Sequence, residues 1–513
     1  MSVEAPSDAA ELAALGYEQE LPRLLRFWSN FAIGFAFISP IVGMYTVAAL
    51  EIQTVGAAWI WAVLVVAIGQ LVVALVFAEL GAKWPIAGGV YQWARRLLGP
   101  KWGWWTGWIY IWSMVATLSV IAYAGGGYLG ELLGISSPST ATSIELALVV
   151  MAIYTFVNAI GLHLLRFIVN LGITAEIIAT LFLGVLLVLF FRHHSPSILV
   201  HNQGAVHPGK AVPAAFAALA YGGWVLFGFD ACGAIAEETQ NPKERVPRAT
   251  IWSLAIVGAI DLIVIAGLML SQPDLKGAVN GTVTDPISAP VTAALGSWST
   301  KPFLAVVVVG FISCGIAVQA ASVRVIYSFA RDDMLPLSRL WRRVTVKSSV
   351  PMYAVLGTGI LASLIFLYGK VLAVLVGFAT GAIYLSYLAA VAGLVYLKVR
   401  GRWRVDPTRF NLGRAGLAIS GVAAAWLVFE FINIAWPRTA SLPWYENWAM
   451  VVGTIILGAV GGVYYLVTRP DRKLAATGVS RATGAATPPR SNDAPASHLP
   501  GPAEPQPDSE SLV

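Results

Sequence analysis

The sequence predicts an all-α integral membrane protein of about twelve transmembrane helices, and three observations carry that prediction. Of 513 residues, 57% are hydrophobic and only 12% charged. A soluble domain has about 25% charged residues, so most of this surface faces lipid. Many stretches of about 20 apolar residues are each long enough to cross a hydrocarbon core of about 30 Å. Two of them, Phe27 to Leu50 and Ala214 to Ala236, break near their middles.

The apolar stretches run in order over 27–50, 55–80, 103–133, 144–163, 166–191, 214–236, 250–271, 302–330, 351–368, 371–397, 413–434 and 447–467. Several are interrupted by Gly, so eleven crossings is the other count the pattern allows. The net charge of +6 is distributed unevenly. With twelve crossings and both termini inside, 26 of the 33 Lys and Arg fall in inside segments and six in outside loops. That asymmetry is the positive-inside rule. It points to a multi-pass plasma-membrane protein with both termini cytoplasmic, its basic clusters lying against anionic lipid rather than nucleic acid.

Residues 1–26 are polar, with a short amphipathic patch from Ala9 to Leu15, and read as a cytoplasmic N-terminal segment. No cleavable signal is visible, so the first apolar stretch is expected to be retained. Residues 27–469 form the transmembrane domain. Residues 470–513 are rich in Ala, Pro, Ser, Thr and Gly, a composition that reads as a disordered cytoplasmic tail.

The first break is Ser39-Pro40-Ile41-Val42-Gly43. Pro40 removes a backbone donor, Gly43 eases departure from helical geometry, and Ser39 supplies a hydroxyl. A helix restarting near Gly43 directs free N–H groups and its positive dipole end into the protein, which suits a carboxylate. A plain proline kink is the other reading. The second break is Phe227-Gly228-Phe229-Asp230-Ala231-Cys232. An ionised group at that depth costs about 2.5–3.5 kcal/mol, so Asp230 is expected to cap the restarting half-helix or to attract an ammonium group. Unwound backbone survives in a bilayer only where protein, cavity or ligand satisfies it. Two breaks in corresponding positions are the substrate-site signature of inverted-repeat transporters, and together they favour a zwitterion. The expected substrate-binding set is Ser39, Pro40, Ile41, Val42, Gly43, Phe227, Gly228, Phe229, Asp230 and Ala231.

Enzyme classes find little support. Cys232 and Cys314 lie in apolar segments and read as buried free thiols. Among the histidines, His193, His194, His201 and His207 share one Pro/Gly-rich loop without metal-ligand spacing. Only His163 lies near a span, whereas redox subunits place His or Cys ligands inside spans. No Walker motif is present. No cofactor or metal is expected, and the oligomeric state stays open.

Beyond the second break lie Ala236-Glu237-Glu238-Thr239-Gln240-Asn241-Pro242 and Val246-Pro247-Arg248-Ala249. With Gly228-Phe229-Asp230, this run resembles the sixth helix and following loop of the amino acid–polyamine–organocation superfamily. Leu15-Gly16-Tyr17 with Gln19-Glu20-Leu21 and Arg23 is similar to the entry of its amino acid/choline branch. Ala78-Glu79-Leu80 with Pro85 to Trp93, Arg324 to Asp333 with Leu335-Pro336, and Val350-Pro351 extend the resemblance over about residues 15–470. The resemblance implies a 5+5 inverted repeat plus two further helices, with discontinuous helices one and six. It implies secondary transport of amino acids or related amines, including choline, ethanolamine and polyamines. Coupling by protons, exchange or, less readily, sodium is implied too; a non-transporting sensor is a different class that keeps the site.

Some sodium-independent relatives are expected to carry a lysine in the fifth helix, and the matching position here is Glu176. A carboxylate there has three open roles: proton acceptor, sodium ligand or permanent ion-pair partner. Ser322 and Ser313 offer hydroxyls to a sodium site, or simply pack helices. Glu79, beside Lys83, reads as part of the cytoplasmic gate. Glu237 and Glu238 are expected to latch that side through Arg245, Arg248 or Arg331, while Arg324 snorkels to the inner face. Asp261 and Glu430 lie within spans without an assigned role. Trp102, Trp104, Trp105, Trp444 and Trp448 read as interfacial anchors.

Overall fold

The computed structural model describes residues 8–135, 138–283, 285–345, 349–368, 371–438 and 443–472. The tail assigned to 470–513 lies almost wholly outside the described residues. Regular structure within them is helical, with one parallel bridge between Leu25 and Thr239.

In chain order the helices begin with α1 (Asp8–Ala14), α2 (Phe27–Ile38), α3 (Pro40–Val55), α4 (Trp59–Lys83) and α5 (Gly89–Leu98). Next come α6 (Pro100–Leu132), α7 (Thr140–Ile160), α8 (Leu162–Phe190), α9 (Ala211–Val225) and α10 (Ala231–Ala234). Then follow α11 (Pro242–Leu270), α12 (Leu275–Val279), α13 (Ser288–Leu295), α14 (Thr300–Arg331) and α15 (Ser338–Trp341). The last five are α16 (Met352–Leu364), α17 (Val371–Val399), α18 (Gly416–Ala435), α19 (Trp444–Asn447) and α20 (Ala449–Thr468).

Among the described residues nine helical runs are long and apolar enough to cross a membrane, and Ala211–Val225 and Met352–Leu367 are shorter apolar helices. The chain is therefore a multi-pass membrane protein. Pro40, Pro100 and Pro242 each open a helix, where a missing N–H removes no intrahelical bond. Helix α11 packs against α2, α4 and α8; α14 packs against α2, α6 and α8. The broken α2–α3 pair is thus enclosed by helices from both halves of the chain.

Two expectations change on folding. Trp104 is no interfacial anchor: it is fully buried, stacks on Trp108 at 5.5 Å, and donates from Nε1 to Met334 O at 3.0 Å. Trp102, Trp444 and Trp448 are exposed as anchors should be. In the described part of the N-terminal segment, Leu12, Tyr17, Leu21 and Leu25 are buried. Helix α1 docks through Glu11 on Lys243 and Asp8 on Arg23. Arg324 does not snorkel; it is buried and paired, as described below.

Candidate functional site

The first break is a single residue. Helix α2 stops at Ile38, Ser39 takes φ 46° and ψ 110°, and α3 restarts at Pro40 rather than near Gly43. A positive φ is strained for serine, so the surroundings must hold it, and they do so through Glu176 on α8. The Ser39 hydroxyl donates to Glu176 Oε1 at 2.6 Å, and the Ile41 N–H donates to the same oxygen at 3.0 Å. The Val42 N–H donates to Ser39 Oγ at 3.2 Å, and the Gly43 N–H to Ser39 O at 2.9 Å. Pro40 has no N–H. The first turn of α3 thus has no spare donor, and the seat expected for a substrate carboxylate is taken by the protein's own Glu176.

The second break is longer. After α9 ends, Gly228 takes φ 103° with its α-carbon against the Phe37 ring, where a Cβ would collide. Only glycine suits both demands. Asp230 does not cap α10 with its side chain, contrary to the capping reading. Its carboxylate instead accepts the hydroxyls of Tyr110 on α6 and Tyr387 on α17, and all three groups are fully buried. Tyr387 Oη also accepts the Gly228 N–H at 3.2 Å. Phe229 packs between Phe77 and Tyr387, with ring centroids 5.7 and 5.5 Å away.

The two breaks meet. Phe37 and Phe227 make an edge contact at 6.2 Å. Gly43 lies against Val225, and Asn30 Nδ2 donates to Cys232 O at 3.2 Å. Folding therefore brings the expected substrate-binding residues of both segments to one place.

The end of the bundle carrying the N-terminal segment is sealed by ion pairs. Arg324 grips Glu238 through two bonds of 2.6 and 3.1 Å, and Arg331 grips Glu237 at 2.7 and 3.0 Å. Glu237 Oε1 also accepts the Ala87 N–H at 3.0 Å. Beneath them Asp332 receives the hydroxyls of Tyr17 and Tyr91 at 2.9 and 2.6 Å, with Arg95 3.4 Å away. The Arg331 guanidinium lies 4.0 Å above the Tyr17 ring. Burial, followed by the Asp332 charge, pushes the Tyr17 phenol well above its ordinary range. Burial holds the neighbouring Arg96 guanidinium down at about 10.

Of the expected gate residues, Glu237, Glu238 and Arg331 take part in this seal. Arg248 does not; it pairs with Glu244 on an exposed helix face. Arg245 reaches Gln240 rather than either glutamate. Glu79 pairs with Lys398 at 2.6 Å and accepts Trp403 Nε1 at 3.0 Å, not Lys83. Ser322 donates to Val318 O of its own helix at 2.7 Å. Glu430 accepts Asn433 Nδ2 at 3.3 Å within α18. Sequence reasoning missed Arg324, Asp332, Arg95, Tyr17, Tyr110 and Tyr387 as members of these networks. The first was visible as an arginine inside a span; tyrosines in apolar helices carry no such signal.

The opposite end holds a vestibule of about 340 Å³, lined by Tyr45, Tyr123, Tyr128, Glu131, Asp285 and Ile287 among others. Tyr45 and Ile287 also line a cavity of about 50 Å³ reaching down to Ile41 and Thr180.

The family model described as "Amino acid permease" matches residues 25–460. The chain is similar to the amino-acid permease BAT1 of Arabidopsis thaliana, 26% identical over 85% of this chain and 90% of that protein. It is also similar to a choline transporter of Saccharomyces cerevisiae, 26% identical over 88% of this chain and 82% of that protein. Amino-acid permease 2 of Neurospora crassa is 25% identical over 87% and 85%.

Proposed function

The chain belongs to the amino acid permease family, and from that premise we propose that it is a secondary transporter of amino acids or related amines working by alternating access. It is a permease rather than an enzyme. The substrate binds where the two helix breaks meet, between Ser39–Gly43 and Phe227–Ala231. The helices form a twelve-crossing inverted repeat in the plasma membrane with both termini cytoplasmic, and transport is proton-coupled or an exchange. No cofactor takes part.

The observation that carries this reading is the bond from Ser39 and Ile41 to Glu176. It ties the residue in the coupling position to the backbone of the first break. A substrate carboxylate must displace Glu176 from the α3 N-terminus, and a Glu176 freed of its donors in a buried place takes up a proton. Substrate binding and proton binding are linked through one set of N–H groups. Glu237, Glu238, Arg324 and Arg331 hold the cytoplasmic end closed and release it when α2 and the segment after Asp230 move.

A second reading has its own observation. Every first-turn donor of α3 is already satisfied, which suits a cationic amine without a carboxylate, held between Glu176 and Asp230. Uptake of a labelled panel into proteoliposomes, with pH and sodium gradients imposed separately, tests both. Zwitterion uptake driven by an inward proton gradient and lost in Glu176→Gln supports the first reading; uptake of choline or polyamines alone selects the second. Specific binding without uptake makes the chain a sensor.

A further inference from the structure

The vestibule opposite the ion-pair seal carries acidic and aromatic side chains and, among the described residues that line it, no basic one. Its two carboxylates come from distant parts of the chain, Glu131 from the last turn of α6 and Asp285 from the segment just before α13. Asp285 is fixed by its own loop, where Oδ1 accepts the N–H groups of Ile287 and Ser288 at 2.9 and 3.0 Å. Its other oxygen, Oδ2, is buried and has no hydrogen-bond partner. Glu131 is exposed. None of the ion pairs among the described residues includes either acid. The acids of the sealed end differ: Glu237, Glu238 and Asp332 face Arg331, Arg324 and Arg95.

Tyr45, Tyr123 and Tyr128 line the same cavity. Tyr45 and Tyr128 meet edge to face with ring centroids 5.3 Å apart, and Tyr128 Oη donates to Tyr45 O at 3.3 Å. Phe303 backs Tyr45 at 6.1 Å, Phe311 backs Tyr128 at 5.3 Å, and Phe366 backs Tyr123 at 6.4 Å. The rings are thus held by their neighbours. Aromatic faces attract ammonium groups, and aromatic cages are how proteins recognise quaternary ammonium. The volume of about 340 Å³ suits a small organic molecule. A cleft lined by one sign of charge concentrates the opposite ion about 10- to 1000-fold. A cation arriving there also relieves Asp285 Oδ2, whose burial without a bond is costly.

The vestibule stands over the first helix break without being part of it. Tyr45 lies one turn beyond Ile41 on α3, and the Ile41 N–H is bonded to Glu176. Ile41, Tyr45 and Ile287 line the small cavity beneath the vestibule. A solute held against Tyr45 is therefore one helical turn from the Ser39–Gly43 segment.

We propose that the vestibule is a cation-selecting site at the mouth of the protein, where Glu131, Asp285 and the three tyrosines take up the ammonium group of an amine, quaternary ammonium included. It gathers solutes that carry a positive nitrogen and repels solutes that carry only a carboxylate. Among the described residues no group of three His, Cys, Asp or Glu is placed to hold a metal ion, and tyrosine walls suit an organic cation better than a metal.

Its place on a substrate route rests on the transport reading, whereas its selectivity can be read without transport. Gly127 lines the vestibule, and a Cβ there meets open space. Gly127→Cys therefore puts a thiol in the cavity, while the native Cys232 and Cys314 are buried. In the purified full chain, labelling rates are measured with a trimethylammonium-ethyl and a sulfonato-ethyl methanethiosulfonate. Their ratio is divided by the same ratio for free 2-mercaptoethanol. Expected is a normalised ratio of about ten or more, cut roughly threefold by Glu131→Gln and by Asp285→Asn separately, and kept by Asp285→Glu. Tetramethylammonium chloride is expected to slow the cationic reagent more than sodium chloride at equal concentration, and Tyr123→Leu to shrink that difference. A normalised ratio near one, a ratio that ignores both neutralisations, or slowing no greater than by sodium chloride each overturns the site. Absence of wild-type counterflow with every labelled amino acid and amine in proteoliposomes overturns the transport reading instead, and a selective ratio then leaves the cation site standing.

Discussion

The two helix breaks solve one physical problem in opposite ways. At Ser39 the chain exposes N–H groups, and a carboxylate from another helix, Glu176, comes to them. At Asp230 the chain exposes a carboxylate, and two hydroxyls from other helices, Tyr110 and Tyr387, come to it. The first arrangement is half satisfied, since Glu176 Oε2 has no partner; the second is complete. The difference teaches which break is poised to change. A complete buried network resists rearrangement, whereas a carboxylate with one free oxygen has an alternative state.

The sealed end lies behind the second break, and breaking it has the largest expected effect. Glu238→Ala strands Arg324 in a buried site, and removing one partner of such a pair costs about 3–5 kcal/mol. Cys232, fully buried behind the seal, then becomes reactive toward a membrane-impermeant maleimide applied to the N-terminal side. Unchanged labelling means the pair is no part of a gate.

Next comes Asp230→Asn, which replaces one acceptor oxygen with an NH2 donor facing a hydroxyl that itself donates. Hydrogen bonds to charged groups contribute about 1.5–3 kcal/mol, so uptake falls roughly ten- to hundredfold. Tyr110→Phe and Tyr387→Phe fall less than additively with it, because the three groups form one network. Full additivity in a mutant cycle separates them.

Ser39 gives a smaller and sharper test of the first break. Ser39→Ala removes the hydroxyl on Glu176 and the cap on Val42, costing about 0.5–2 kcal/mol. Ser39→Gly removes the same bonds but relaxes φ 46°. Gly is therefore expected to melt above Ala in detergent; equal melting temperatures mean the backbone is unstrained.

The smallest effect concerns Tyr17. Its phenol binds its proton more tightly docked than free, so docking is at full strength below the ordinary phenol value of about 10 and weakens as pH rises past it. Hydrogen exchange across residues 8–26 accelerates above that pH in wild type. Tyr17→Phe shows no such step.

Both breaks were legible in the sequence because Pro, Gly and a charge in an apolar run each carry a local cost that pattern reveals. Glu237 and Glu238 were legible as acids awaiting basic partners for the same reason, but which partners they take was not. Arg248 and Arg245 are near in sequence, yet helix direction turns Arg248 to an exposed face, and Arg324 and Arg331 arrive from α14. Trp104 shows the same limit: an indole at a helix end belongs equally to interface or core until neighbours such as Trp108 and Tyr465 are placed.

The sequence by itself determined that this chain crosses a membrane repeatedly, where its helices break, and which carboxylates lie deep in apolar segments. Those properties follow from backbone and solvation energies that act locally. Only the tertiary structure decided that Glu176 occupies the α3 N-terminus and that tyrosines from α6 and α17 satisfy Asp230. Each of these joins helices distant in the chain, and in a bilayer any apolar face packs against any other. Pairing is therefore set by the few polar groups that find one another, which no stretch of sequence shows alone.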